Sequence, residues 1–346
     1  MSYQPQPDDG RGAVYGRASV RPRSGDGGVP RGTDGPSRGT GRAGGLPPAP
    51  PRRIRWARVF LAFGVLALVL VVGTVATGMY LFNKFDGQVK RVGDVFAALP
   101  ENERPAKSVG GATNILLVGF DSWRNSVPRS DTIMLIHLPA DRKKAYVVSI
   151  PRDSWVPVPG YRRAKINSAF AWGGPTLLIK TIEQFTDVRI DHFAQVSFSG
   201  FEAMTDAVGG VDMPGAGHLD GKSALKYVRE RKTLPGGDFD RIKRQQTFIK
   251  VLMKETSGSM NNPVALVKLG DAVSRAVSVD SGLTGSELRS LALSARGLRG
   301  PSVVFSTAPT TGTGMVGDQS VVFLDKSAGI RLWTAMREDR MADLKG

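Results

Sequence analysis

The sequence predicts an α/β fold: a layered α-β-α domain with a central mixed sheet, preceded by one transmembrane helix and a disordered N-terminal tail. Apolar, strand-like runs alternate with helix-like segments after residue 113, which is typical of a layered sheet. Before them lies a charge-free segment of 25 residues, Val59–Asn83. We therefore expect a tail (1–55), a membrane span (56–83), a stalk or linker (84–112) and an extracytoplasmic domain (113–340).

The tail cannot form a core, because it is rich in Gly, Pro, Arg and Ser and nearly free of large apolar residues. Through Arg58 it carries eleven arginines against four aspartates, a large part of the net charge of +16. Anionic lipid headgroups are the simplest partner for such a segment, and a cytoplasmic protein partner is an alternative. We expect no nucleic-acid binding, since no nucleic-acid motif is visible.

The segment Val59–Asn83 exceeds the roughly 20 apolar residues that a helix needs to cross a bilayer. A cleaved signal peptide is the alternative, but the preceding tail is far too long for its charged region. Four arginines crowd the upstream end, at positions 52, 53, 55 and 58. The positive-inside rule then places the N-terminus in the cytoplasm of a single-pass membrane protein.

The elements of the domain follow from runs and periodicity. Buried strands are predicted at 114–120, 131–138, 145–151 and within 192–201, the last leading to a helix that ends at Val208. The second and third strands form a hairpin or a neighbouring strand pair. A helix begins at Gly174-Pro175, with Leu178, Ile182 and Phe185 on one apolar face. The remaining helices are predicted at 221–227, 240–255, 263–277, 284–297 and 325–338, and the remaining strands at 302–307 and 320–323.

The stretch from Arg229 to Gln246 is the most informative part of the chain. Guanidinium groups bind planar, multiply charged oxyanions such as phosphate. Arg229 and Arg231 point the same way only if the chain between them is extended, since in a helix they would diverge by about 200°. Asp238 or Asp240 can cap the helix that follows. The candidate phosphate ligands are Arg129, Arg152, Lys165, Arg229, Arg231, Arg241 and Arg244; for any one of them, a solvated surface arginine is the alternative.

Two aspartates lie at neighbouring strand ends: Asp121 closes one strand and Asp131 opens the next. Mg²⁺ binds one or two carboxylates together with substrate phosphates and water, so this pair is a candidate metal site. Turn formation is the other use of aspartate at such positions.

Several enzyme classes lack their parts here. The sequence has no cysteine, no G-x-S-x-G, no phosphate-binding P-loop and no H-E-x-x-H, and its three histidines lie far apart. These absences argue against triad hydrolases, P-loop NTPases and zinc proteases.

Seven segments in order resemble the LytR-CpsA-Psr family of cell-wall ligases between about residue 113 and residue 256. They are NILLVGFDS, RSDTIMLIHL, VVSIPRDSWV, YRRAKINSAFAWGG, FEAMTDAVGGVDM, LDGKSALKYVRERK and GDFDRIKRQQTFIKVLM. The resemblance implies transfer of a glycopolymer from a polyprenyl-pyrophosphate carrier to peptidoglycan, through a phosphodiester and with Mg²⁺, for which Mn²⁺ can substitute. It implies Asp121 and Asp131 as metal ligands, and Arg129, Arg152, Lys165, Arg229, Arg231, Arg241 and Gln245 as pyrophosphate ligands.

Catalytic roles are expected for Arg152, Asp238 and Arg241, with Asp238 or Asp153 as the base that accepts the acceptor's proton. The polyprenyl chain is expected in an apolar tunnel, against Leu178, Ile182, Phe185, Phe198 and Phe201, with core packing as the alternative use of most of them. Polyprenyl-pyrophosphate hydrolysis, a non-catalytic envelope regulator that binds the lipid, and a tail-driven cytoplasmic interaction protein remain alternatives. Two departures from the family pattern are a loop shortened to about 212–218 and Asp240 at a position where glycine is common.

Overall fold

The structure is a computed structural model that describes residues 83–84, 86–121, 129–231, 233–259, 262–294, 297–298 and 300–344. The predicted tail (1–55) and all but the last residue of the predicted span (56–83) lie outside these residues. Among the residues described, no helix combines the length and apolar character that a membrane crossing requires.

The described strands are β1 to β13 and the described α-helices are α1 to α7. The strands are Lys90–Arg91, Thr113–Asp121, Arg129–Leu138, Ala145–Ser149, Trp155–Pro157, Arg163–Lys165, His192–Ser197, Val211–Met213, Gly217–Leu219, Val277–Val279, Val303–Thr307, Thr310–Val316 and Gln319–Leu324. The helices are Ile166–Thr186, Phe198–Ala207, Gly221–Arg229, Asp238–Ser259, Pro263–Ala276, Gly285–Ser294 and Lys326–Arg337.

The central sheet is mixed, as predicted. Its order is β1-β10-β7-β2-β3-β4-β11, and β2, β3 and β4 are successively antiparallel while β7 lies parallel to β2. The predicted hairpin of the second and third strands is confirmed by the pairing of Met134 with Ser149. Three small hairpins, β5-β6, β8-β9 and β12-β13, stand apart from this sheet.

Helices cover both faces of the sheet, which gives the predicted α-β-α layering. Along β2 the side chains alternate: Leu116 and Val118 pack into one apolar cluster that includes helix residues of α1 and α7. Ile115 and Leu117 face the opposite side, where residues of α6 complete the clusters and α4 packs beside Met134. The period of two in the sequence therefore divides the core into two layers.

Helix α1 starts earlier than predicted and is broken in the middle. It begins at Ile166, and its regular geometry fails at Gly173 and Gly174, the latter with φ of 62°. Pro175 then begins the second half, where its missing N–H costs nothing. The apolar face predicted from Leu178 and Ile182 lies in this second half and is fully buried.

The segment 84–112 is not a stalk in the part that the structure describes. Lys90 and Arg91 pair with β10 at the edge of the sheet, and Val95 and Leu99 are buried in the core. Arg104 makes a bidentate contact to Glu183, with Nη2 donating at 2.7 Å, and both side chains are over 90% buried. These contacts make the segment part of the domain; its low apolar content hid this in the sequence.

Replacing Arg104 by Ala should destabilise the domain strongly, because Glu183 would be left as an unpaired buried charge, a change of about 3–5 kcal/mol. That corresponds to a fall of roughly 6–20 °C in the melting temperature of a domain of this size. Lys180→Ala is the matched control, because its ion pair with Glu103 is exposed and is expected to contribute about 0–1 kcal/mol. Thermal unfolding of the full chain in detergent measures both. Equal, small shifts would mean that the segment is only loosely attached.

Candidate functional site

The site begins at a β-bulge between β2 and β3. Gly119 pairs with Thr132 and Phe120 with Ser130, so Asp131 has no partner opposite it. A bulge re-aims the side chain of the extra residue and is common beside active sites. A Cβ on Gly119 would stand 3.1 Å from Cβ of Thr132, so this close approach favours glycine. The bulge brings Asp131 to a cavity beneath α2, α3 and α4.

The end of α3 supplies two of the arginines. Arg229 is its last residue, and Glu230 then has an extended backbone with ψ of 132°. The condition for Arg229 and Arg231 to face one site is thus met, and both line the same cavity. Oε1 of Glu230 fixes the turn by accepting from the N–H groups of Arg231 and Thr233.

The two aspartates at the start of α4 have different contacts. Oδ2 of Asp240 accepts from the Gly236 N–H at 2.8 Å and closes the turn before the helix. This leaves Asp238 free of capping, and it faces Arg241 instead. The aspartate that replaces the more common glycine is therefore a turn residue and not a ligand of the arginines.

A chain of ion pairs links the remaining cations. Arg152 Nη1 bonds the Asp131 carboxylate. Asp153 lies 3.1 Å from Lys165 Nζ, and 3.7 Å each from Arg152 Nε and Arg231 Nη1. One carboxylate thus holds three cations together, which gives the site a positive surplus.

Asp238 and Arg241 form a buried pair whose side chains are 12% and 6% exposed. Their Oδ1 and Nη2 atoms lie 2.5 Å apart, but neither Asp238 oxygen has hydrogen-bond geometry with any donor. Burial raises the pKa of Asp238, although the charges of Arg241 and Arg152 oppose this, and burial lowers the pKa of Arg241. Nη2 of Arg241 also donates to the Asp131 carbonyl at 3.4 Å.

Two guanidinium donors at the site are buried without a hydrogen-bond partner: Nε of Arg152 and Nε of Arg241. A buried unsatisfied donor costs free energy, so such atoms in a native protein indicate a missing ligand or water. Donors of this kind on two neighbouring arginines match the oxygens of a phosphate.

The cavity has a volume of about 710 Å³ and combines this charged cluster with a long apolar wall. Its polar lining includes Asp131 and four arginines, 152, 229, 231 and 241, which we call the arginine cluster. Its apolar lining is Leu117, Met134, Val196, Phe198, Phe201, Met204, Leu225, Val228, Phe248, Ile249 and Leu252. Arg229 also stacks on the Phe198 ring at 4.2 Å, where the charged and apolar parts meet.

Of the five residues expected against the polyprenyl chain, two line the cavity and three have the alternative role of core packing. Phe198 and Phe201 line the cavity, but Leu178, Ile182 and Phe185 belong to the core on the other face of the sheet, where Phe185 packs edge-on against Trp333. Met204, Leu225 and Phe248 were missed as lining residues. Periodicity identifies the apolar face of a helix but not the sheet face that it covers.

The other predicted ligands occupy different positions. Gln245 lines the cavity and its Nε2 donates to the Val228 carbonyl at 3.3 Å, which connects α4 to α3. Lys165 lies beside the cluster through Asp153 and outside the cavity lining. Arg244 stacks on Tyr227 and does not line the cavity. For Asp121 and Arg129 the structure gives the backbone only: they are strand residues that pair with each other in the β2-β3 register.

The backbone register relates the two predicted magnesium ligands, Asp121 and Asp131, to each other. The register places Asp121 and Asp131 at the same edge of the sheet, two residues apart along the ladder. Within the described part of the chain, no group of three or more acidic, His or Cys side chains forms a metal site. Asp131 presents its carboxylate beside the arginine cluster, and Mg²⁺ prefers one or two carboxylates that are completed by substrate phosphates.

The site lies within a region that matches known proteins. A sequence profile of the LytR_cpsA_psr family matches residues 86–214 and 213–338. The cell wall biosynthesis protein LcpA of Corynebacterium glutamicum is 31% identical over 332 residues, covering 77% of this chain and 63% of LcpA. The chain thus spans less than two thirds of the length of that relative.

A second relative is a polyisoprenyl-teichoic acid–peptidoglycan teichoic acid transferase, TagU, of Bacillus cereus. It is 31% identical over 217 residues, covering 57% of this chain and 70% of TagU. Among solved structures, a LytR-Csp2A-Psr enzyme from Actinomyces oris superposes with a TM-score of 0.57 at 19% identity, over 72% of this chain and 96% of that one, and so shows the same fold. The profile match over most of the chain shows that this protein belongs to the LytR_cpsA_psr family.

Proposed function

We propose that this protein transfers a glycopolymer from a polyprenyl-pyrophosphate carrier to peptidoglycan. The observation that carries the proposal is the cavity, in which an apolar wall meets the arginine cluster. A long hydrocarbon chain joined to a multiply charged anion is the ligand that satisfies both parts. The similarity to TagU, a peptidoglycan teichoic acid transferase, and to LcpA, a cell wall biosynthesis protein, supports a transfer reaction in cell-wall synthesis.

In this proposal the polyprenyl chain lies along α2, α3 and α4, and the pyrophosphate lies at the arginine cluster. The unpartnered Nε atoms of Arg152 and Arg241 then donate to phosphate oxygens. Arg129, Lys165 and Gln245 complete the proposed ligand set. The positive charges of the arginines and of Lys165 act on oxygens whose negative charge shifts during the reaction, which is the main source of catalysis in phosphoryl transfer.

The reaction forms one phosphorus–oxygen bond and breaks another. A peptidoglycan hydroxyl attacks the phosphorus next to the glycan and loses its proton, and polyprenyl phosphate leaves. Mg²⁺, held by Asp121 and Asp131, would supply charge neutralisation at the phosphates when bound. No covalent enzyme intermediate is required.

Asp238 is the better of the two candidate bases. Asp153 makes ion pairs with Arg152, Lys165 and Arg231, so its oxygens are already engaged by cations. Asp238 has two oxygens without hydrogen-bond donors and a pKa raised by burial. A carboxylate with a raised pKa is the better proton acceptor near neutral pH.

The proposed location is the outer face of the cell membrane. It rests on the charge-free segment 59–83 and on the arginines before it, with the N-terminus in the cytoplasm and the basic tail at anionic lipid. A membrane-anchored domain would meet its lipid-linked donor at that surface.

Arg152→Ala should reduce transfer by a factor of about 10²–10³, because it removes a preorganised donor to the developing charge. The assay uses the full chain in lipid vesicles with labelled polyprenyl-pyrophosphate glycan, peptidoglycan and Mg²⁺. Arg244→Ala is the matched control, since this arginine stacks on Tyr227 outside the cavity and should leave the rate unchanged. Normal transfer by the Arg152 variant would refute the pyrophosphate assignment.

The same assay separates the competing functions. Label in peptidoglycan supports transfer. Release of free phosphorylated glycan in the presence of peptidoglycan would show a hydrolase, and tight lipid binding without either product would show a binding protein.

The transfer rate should fall on the acid side of neutrality, at a pH above the ordinary carboxyl pKa of 3.8. The rate falls toward acid pH because the base acts in its ionised form, and the raised pKa of Asp238 moves its protonation to higher pH. A pH–rate profile of the full chain measures this. Asp238→Asn should abolish the acid limb together with most of the rate, whereas Asp240→Asn, which affects only the turn, should preserve it. An acid limb that persists in an active Asp238→Asn enzyme would assign the base elsewhere.

A further inference from the structure

Tyr161 and Trp172 stack on one another at the surface. Their ring centroids are 4.8 Å apart with an interplanar angle of 26°, and the residues are 54% and 43% exposed. Among the aromatic residues whose burial the structure describes, only Phe323, at 36%, is also exposed. Single exposed apolar residues are common, but a stacked aromatic pair held in water indicates a binding surface.

The pair lies close to the charged end of the cavity. Lys165 is the N-cap residue of α1, and Trp172 follows it by seven residues, which is about 10 Å along the helix axis. Tyr161 lies in the turn of the β5-β6 hairpin, whose last pair is Trp155 with Lys165. Lys165 in turn contacts Asp153, which holds Arg152 and Arg231. A short oligosaccharide would span the distance from the pair to the arginine cluster.

The pair is also held in place before any ligand arrives. The Tyr161 N–H donates to the Val158 carbonyl at 2.9 Å and fixes the hairpin turn. Trp172 is the last regular residue before the break at Gly173 and Gly174, where a Cβ on Gly173 would meet the Leu177 side chain at 2.5 Å. Both rings are therefore carried by ordered backbone, which reduces the entropy lost on binding.

The chemistry of the surface matches a sugar ring. The faces of aromatic rings carry partial negative charge, and the C–H groups on one face of a pyranose carry partial positive charge. Arg162 and Arg163 are exposed beside Tyr161 and can donate to sugar hydroxyls or N-acetyl carbonyls. Lipid is a poorer match, since two exposed arginines, Arg162 and Arg163, follow Tyr161 directly in the chain.

The geometry of the proposed reaction indicates which sugar binds here. In an in-line displacement, the attacking and leaving oxygens lie on opposite sides of the phosphorus. The leaving polyprenyl phosphate lies in the cavity, so the acceptor approaches from the side away from it. Asp153 and Lys165 lie outside the cavity lining, and the aromatic pair is carried by the β5-β6 hairpin and the first half of α1, which meet at Lys165. We propose that Tyr161 and Trp172 bind a sugar ring of the acceptor glycan strand, an assignment that rests on the transfer function proposed above.

The test uses the full chain in detergent micelles and a tetramer of β-1,4-linked N-acetylglucosamine as the probe, with binding measured by titration calorimetry. Tyr161→Ala and Trp172→Ala should each weaken binding about three- to tenfold, which corresponds to about 0.7–1.4 kcal/mol. Trp172→Phe should retain most of the affinity. Phe323→Ala is the matched control, an exposed aromatic on the β12-β13 hairpin, and should have no effect.

Transfer kinetics provide the second measurement. The alanine variants should raise KM for glycan strands by the same factor, leave kcat unchanged, and retain the lipid donor normally. No tetramer binding by the unmodified chain, or equal binding by the Tyr161→Ala/Trp172→Ala double variant, would overturn the assignment.

The two proposals fail separately. If the unmodified chain does not transfer glycan but binds the N-acetylglucosamine tetramer through both rings, the sugar-binding role of Tyr161 and Trp172 is supported and the transferase assignment fails. If transfer proceeds with unchanged KM in the double variant, the sugar-binding role of Tyr161 and Trp172 is refuted and the transferase assignment is kept.

Discussion

The site depends on holding several like charges together at the end of an apolar cavity. Arginines repel one another, and burial raises the free-energy cost of a charged side chain because the surrounding dielectric constant is low. Three carboxylates from different elements offset this: Asp131 on β3, Asp153 after β4 and Asp238 at the start of α4. Because Asp153 is shared by three cations, the compensation is incomplete, and a bound anion would complete it. The fold therefore holds the site in a state that favours a phosphate ligand.

The apolar part of the cavity follows from the same arrangement of layers. One face of the sheet, with Leu117 and Met134, is covered by helices whose side chains leave an open volume and do not interlock. The opposite face packs fully against α1 and α7, with Leu178 and Ile182 inaccessible to solvent. Open packing on one face and close packing on the other separate the binding function from the stability of the domain.

The sequence was most informative where a local pattern decides the structure. The central strands and most helices could be predicted from their periodicity, and Arg229 and Arg231 from the condition of an extended chain between them. It was least informative where the answer depends on distant residues. Strand β1 has two residues and pairs with β10, which is almost two hundred positions away, so no local pattern marks it. Asp238 and Asp240 are equivalent as caps in the sequence, and only the turn at Gly236 distinguishes them.

The most direct test of the central claim is photo-crosslinking of the full chain with a polyprenyl pyrophosphate that carries a photoreactive group in its chain. The account predicts labelled peptides from the cavity wall, around Phe198–Met204 and Phe248–Leu252. It also predicts that inorganic pyrophosphate competes for the site and that Arg152→Ala lowers the labelling. Labelling confined to other surfaces, or labelling indifferent to pyrophosphate, would contradict the joint recognition of lipid and anion in one cavity.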